Sequence, residues 1–213
     1  MTAEKYQGNG KRDGMAEVTN GADCTIPGYT AGTWTIDPTH SEIGFVVRHF
    51  GLNKVRGRFN QFEGTIVTAP DASDSHVEAK ISSASIDTGN EQRDDHLRSD
   101  DFLHAAACPL ITFTSTAVAP ATDGGTHVIR GDLTLNGLTR KVELLTDVEG
   151  FGPDPMTPGG AGARCGFSAR TEISRRDFGI TFDGTIPGGQ LVVGDKIEIL
   201  LDIQAVLTPP AVG

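Results

Sequence analysis

The feature that most constrains this chain is a two-residue alternation of apolar and polar side chains, cleanest near the C-terminus. From Lys196 to Leu207, Ile197, Ile199, Leu201, Ile203, Ala205 and Leu207 fall on one face, while Lys196, Glu198, Asp202 and Gln204 fall on the other. A strand turns successive side chains to opposite sides, so such a run predicts a strand with one face in an apolar interior. The same rhythm marks Ile43 to Phe50, Arg58 to Val67, His76 to Ser82, Ile111 to Val118, Thr126 to Leu135, Arg140 to Val148 and Cys165 to Ile173. Asn136-Gly137 sits between two of these runs, and Asn-Gly is a strong signal for a tight hairpin. Gly150 to Gly162 is rich in Gly and Pro and predicts a loop within one domain.

One segment breaks the alternation. Thr88-Gly-Asn-Glu91 has the spacing of a capping box, and EQRDDHLR after it holds good helix formers with no β-branched residue. A short helix from Glu91 to Arg98 is predicted, with Asp94 and Arg98 spaced to pair along it. About eight strands, one short helix and no βαβ rhythm predict an all-β, mainly antiparallel fold. The long strands favour an eight-stranded, lipocalin-like barrel, because closure removes free edges and leaves room for one small ligand. The helical insertion then falls near residues 89–104. The expected layout is a polar arm over 1–28, one barrel domain over 29–208 and a short tail over 209–213.

Charge and composition exclude several functions. Lys plus Arg total 18 against 28 Asp plus Glu, a net charge of −10, which argues against a nucleic-acid surface and offers no overall attraction to anionic lipid headgroups. The first 24 residues contain no apolar run, and no stretch reaches the length of a membrane span, so a cytoplasmic address is expected. Cys24, Cys108 and Cys165 are too few and too scattered for a disulfide framework or a zinc site. A homodimer is the commonest default for a soluble oligomer, and no segment marks an interface.

The candidate chemistry is sparse. Asp87-Thr88-Gly89 has the look of an aspartic-protease triplet, but there is no second copy to share a proton with, so a turn is the better reading. No histidine pair has metal-binding helical spacing, and no metal site is expected. No nucleophile elbow, phosphate loop or dinucleotide fingerprint is present, and no catalytic residues are assigned. Strand phase and side-chain chemistry nominate Phe45, Val47, Phe59, Phe113, Phe167, Phe178, Ile199 and Leu201 as apolar walls, with a packed core as the alternative for each. Leu97 and Phe102 would turn inward from a capping segment. His40, Ser41, His49 and Arg93 are nominated as polar groups at a mouth.

The chain also resembles the YceI-like family of bacterial lipid-binding proteins. The resemblance runs through Trp34-Thr-Ile-Asp-Pro-Thr-His40-Ser41, Gly44-Phe-Val-Val-Arg-His49, Val55-Arg-Gly-Arg-Phe59, Phe62-Glu-Gly-Thr65, Ser85-Ile-Asp-Thr-Gly89, Arg93 to Phe102, Thr112-Phe-Thr-Ser115, Gly131 to Thr139 and Ser174-Arg-Arg-Asp-Phe-Gly179. It spans residues 33 to 207 in order. It implies a lipocalin-like barrel that binds a long polyisoprenoid or isoprenoid quinone, with no cofactor required. Three functions follow for testing: a carrier or sequestering protein for such a lipid, an enzyme acting on one, or a ligand-free interaction module.

Overall fold

The computed structural model describes residues 26–119, 126–157, 162–184 and 192–209. The arm expected over 1–28 and the tail over 209–213 fall largely outside these residues. Eleven strands form one antiparallel sheet: β1 (Gly32–Ile36), β2 (Glu42–His49), β3 (Asn53–Phe59), β4 (Phe62–Thr68), β5 (His76–Ser82), β6 (Ile86–Asp87), β7 (Leu110–Ala119), β8 (His127–Leu135), β9 (Leu138–Pro153), β10 (Ala163–Ser174) and β11 (Val193–Leu207). Among the described residues a single α-helix, α1, spans Glu91–Arg98. Among the described residues no helix is long and apolar enough to cross a membrane.

The pairing order β1-β4-β5-β7-β8-β9-β10-β11 returns to β1, which closes an eight-stranded barrel. The other three strands extend the same wall. One edge of β11 is shared end to end: Ala205 to Leu207 pair with β1, and Ile197 to Asp202 pair with β2. Thus β1 and β2 act as one long strand broken at residues 37–41. In the same way β3 and β4 lie in line, as do β5 and β6, because β4 pairs with β1 and β5 while β3 pairs with β2 and β6.

Serine hydroxyls repair these breaks. At the first, the Ser41 hydroxyl accepts the Gln204 N–H at 2.9 Å and donates to the Gln204 carbonyl at 3.1 Å, and the Asp37 N–H reaches the same carbonyl at 2.9 Å. At the next, the Ser85 hydroxyl accepts the Gln61 N–H at 3.1 Å and donates to the Ser82 carbonyl at 2.7 Å. A partly buried backbone group needs a partner, and here a side chain supplies what a ladder would. The sequence predicted one strand from Arg58 to Val67. It is interrupted at Asn60 and Gln61, where β3 hands over to β4.

Other expectations fare variously. The Asn136-Gly137 hairpin forms with both residues in the left-handed region (φ 51° and 72°), as a tight turn between β8 and β9 requires. Helix α1 has the expected bounds, but its cap is Asn90, whose side chain accepts the Arg93 N–H. Thr88 instead gives its N–H and hydroxyl to the Asp94 carboxylate, which is buried, so Asp94 is turned away from Arg98. Arg98 pairs with Asp95 at 2.9 Å and donates to the Ala84 and Ile86 carbonyls, tying the helix to the second break. Strand β9 runs on through Gly150 to Pro153, where a loop was expected, and β1 was not foreseen as a strand.

The base of the barrel is closed by Trp34, Cys165 and Ala205, all buried, with Phe151 and Phe167 packed on them. The Trp34 indole N–H donates to the Thr68 hydroxyl at 2.8 Å, so burying the ring leaves no polar atom unmet. The far end is covered by α1 and the turn after it, where Phe102 and Leu103 are buried, and by residues 175–180.

Two predictions follow from the first break. Ser41→Ala leaves the Gln204 N–H without its partner at a half-buried site and should cost about 1–2 kcal/mol, read as a lower midpoint in urea unfolding. Beside it, Arg164 donates to Asp37 at 2.6 Å and holds that carboxyl well below the usual carboxylate range. A depressed folded-state pKa contributes stability above the unfolded value of about 3.9 that is lost as pH falls. Unfolding midpoints should therefore drop below about pH 4, and Asp37→Asn should show a shallower drop over the same range.

Candidate ligand-binding cavity

The inward faces of all eleven strands, with Leu97 of α1, surround one cavity of about 260 Å³. Among the described residues its lining runs from Ile66 and Phe167, packed on the base plug described above, to Phe102 and Arg175 at the capped end, so the lumen is elongated. Among the described residues only Thr146, Thr171 and Arg175 bring polar side chains to it. The strand phase explains the lining. On β11, Ile197, Ile199, Leu201 and Ile203 all reach the cavity, and on β10 Phe167, Ala169, Thr171 and Ile173 do.

Two close approaches keep the lumen open. A side chain at Gly57 would collide with the Phe45 ring, and one at Gly131 with the Phe113 ring. Each phenylalanine lies across a glycine of the neighbouring strand, because Phe45 pairs with Gly57 and Phe113 is two positions from the partner of Gly131. The rings thus lie on the wall, and glycine has no Cβ to push them inward.

Of the ten apolar residues nominated from sequence, nine line the cavity: Phe45, Val47, Phe59, Leu97, Phe102, Phe113, Phe167, Ile199 and Leu201. Phe178 does not. It is buried behind the wall, and its carbonyl accepts from the Asn136 side chain at 3.1 Å, which clips residues 175–178 to the β8–β9 turn.

The four polar residues nominated for the mouth are all elsewhere. His40 is exposed and bonds Asp37 at 2.8 Å, and Ser41 is spent on the Gln204 backbone. His49 follows Val47 in phase but lies past the end of the lining, with its ring against Phe50 at 4.0 Å. Arg93 is exposed on α1, where it donates to the Thr88 hydroxyl at 2.6 Å and carbonyl at 2.9 Å. Polar residues at strand breaks and helix starts meet nearby backbone first.

The polar residue that sequence reasoning missed is Arg175. It is 1% exposed yet reaches the cavity, at its capped end. Its guanidinium donates to the carbonyls of Ile180 at 2.7 Å, Gly194 at 3.1 Å and Val193 at 3.3 Å, and to the Asp183 carboxylate at 3.2 Å. These bonds satisfy the buried charge and pin the cap to β11. Arg175 lies in the Ser174-to-Gly179 stretch, the one local signal that marked it.

The wall has a seam. Pairing between β9 and β10 stops at Leu145 and Arg170, and a groove opens there between Arg140 and Val142 on one side and Thr171 to Ser174 on the other. Val142, Thr171 and Ile173 line both this groove and the cavity.

Among the described residues the lining brings no nucleophile and base together. The Cys165 thiol sits in the base plug, and burial pushes it up to about 12, so it stays protonated near neutral pH. His96 and His104 face Asp101 and Asp100 on the surface, and among the described residues no three His, Cys, Asp or Glu side chains are grouped to hold a metal.

Comparison with known proteins adds four findings. The family model described as YceI-like domain matches residues 34–205. A UPF0312 protein of Shewanella denitrificans is 41% identical over 167 residues, covering 76% of this chain and 85% of that protein. Among solved structures, the YceI protein of Campylobacter jejuni superposes with a TM-score of 0.63 at 28% identity, over 76% of this chain and 90% of that one. A polyisoprenoid-binding domain from Saccharophagus degradans has the same fold, with a TM-score of 0.61 at 17% identity, over 84% of this chain and all of that one.

Gly131→Ala should press a methyl group into the Phe113 ring. We expect a loss of about 1–3 kcal/mol in urea unfolding, the usual cost of overpacking.

Proposed function

The chain belongs to the YceI-like family, and on that premise we propose that it binds a long-chain isoprenoid lipid, a polyprenyl compound or isoprenoid quinone, inside the barrel and carries or sequesters it without chemical change. The observation that carries this reading is the lumen itself: it extends through the barrel from the base plug to the capped end and is lined almost wholly by apolar side chains. A chain-shaped occupant matches that form. At about 260 Å³ the lumen is just below the roughly 300–1,000 Å³ usual for ligand pockets, which favours a slender molecule over a bulky ring system. The related fold from Saccharophagus degradans is itself a polyisoprenoid-binding domain, which supports the same ligand class here.

The energetics favour such a ligand. Burying apolar surface is worth roughly 25 cal/mol per Å², so a chain of several isoprene units offers on the order of 10 kcal/mol before the cost of ordering it. Branched, unsaturated units have fewer rotamers to lose than a saturated chain of equal length. Carriage without chemistry fits a lining whose polar side chains are two threonines and one arginine already engaged by three carbonyls and a carboxylate.

Protein purified under native conditions and extracted with organic solvent should yield a long-chain lipid near one per chain by mass spectrometry. Ala169→Phe places a ring midway along the lumen and should abolish lipid uptake while the far-ultraviolet dichroism stays that of the parent. Equal lipid content in the parent and Ala169→Phe proteins would place the lipid outside the barrel and defeat the reading.

A further inference from the structure

We propose that the β2–β3 hairpin docks the protein on the surface of an anionic phospholipid bilayer, where the lumen takes up or releases its lipid; this rests on the lipid-carrying reading above. The hairpin's charge is opposite to that of the whole chain. Residues 43–62 contain no Asp or Glu, yet they hold Arg48, Lys54, Arg56 and Arg58, in a chain of net charge −10. All four are exposed and follow the same outward phase of β2 and β3.

The register makes the arrangement costly. Arg48 stands directly opposite Lys54, and like charges placed so destabilise an antiparallel pair. Lys54 reaches Glu198 at 3.6 Å and Arg58 reaches Asp87 at 3.6 Å, but among the described residues neither Arg48 nor Arg56 has a carboxylate partner. Glu198 offsets Lys54 alone, and the two arginines left without a carboxylate point to a use outside the fold. Lys and Arg on an edge strand can also deter edge-to-edge pairing, and β3 is paired beyond β2 only at Arg58 and Phe59.

Edge protection does not account for the tip. There Leu52 is 79% exposed, beside Phe50, which holds a left-handed φ of 54°. An apolar side chain at the apex of a cationic hairpin suits a bilayer, where the leucine enters the interface and the cations meet lipid phosphates. A purely acidic protein partner would use the cations and leave Leu52 unexplained. The acidic remainder of the surface does not cancel the patch, because charges more than about 8 Å away are screened at physiological ionic strength. The inner face of the same hairpin carries Phe45 and Val47 to the lumen, so one element would touch both bilayer and cargo.

The test is flotation of the full chain with vesicles of phosphatidylcholine alone or with 30 mol% phosphatidylglycerol, a composition set by the experimenter on the surface-charge argument. The parent should float only with the anionic vesicles and lose binding in high salt. Arg48→Gln with Arg56→Gln should weaken the partition about 25-fold, roughly fivefold per charge removed, and Leu52→Asp should weaken it further. Lipid extracted from these variants should match the parent, which shows they are folded and loaded. Unchanged flotation in the loaded double variant, or parent binding that ignores vesicle charge, overturns the docking proposal and leaves the lumen reading intact. Absence of extractable lipid in every protein would instead strike the lumen reading. Aggregation of the double variant with vesicle binding retained would assign the cations to edge protection and overturn the proposal.

Discussion

The shared edge of β11 is the constraint on which the barrel depends. A strand of fifteen residues offers more edge than either β1 or β2 can cover, and the two divide it at Gln204. The Ser41 hydroxyl and the Asp37 N–H satisfy the backbone there, so the wall turns a corner without losing closure. The break then passes to the neighbouring strands at Asn60–Gln61 and at residues 83–85, where Ser85 has the same role. The crease lets one half of the barrel close on the Trp34 plug while the other stays wide enough for a lumen under α1.

Much of this was legible in the sequence because alternation reports directly which side chains face inward. Seven residues of the lining could be named from strand phase, Leu97 and Phe102 from the capping segment, and the hairpin at Asn136-Gly137 from its turn chemistry. The breaks were not legible. They depend on Ser41 and Ser85 each meeting backbone groups of a distant or bent segment, Gln204 lying 163 residues from Ser41. None of the four residues nominated for a polar mouth lines the cavity. His40, Ser41 and Arg93 have polar character, which sequence shows, but His40 meets Asp37 and Arg93 meets Thr88 close by in the chain, and Ser41 meets Gln204, which only the fold brings near. Phe178 has the right chemistry, yet its turn, held by Asn136, sets it behind the wall. Arg175 is the converse: a charge that reads as surface becomes the buried clip between cap and β11.

The lumen and the hairpin together show why overall composition is a coarse guide to local surfaces. A net charge of −10 gives no general attraction to an anionic surface, but the hairpin carries four cations along its outer face and an exposed leucine at its tip. The lumen is as apolar as the hairpin's outer face is charged, and the two are opposite faces of the same strands.

The central claim is that the lumen holds a chain-shaped isoprenoid along its length. The most direct measurement is affinity against chain length, with a graded series of polyprenyl phosphates titrated into delipidated protein. Each added isoprene unit should tighten binding by a similar factor, since each buries similar apolar area. The gain should stop at the length that fills the lumen. Affinity independent of chain length, or a series in which short and long chains bind equally to the Ala169→Phe protein, would contradict it.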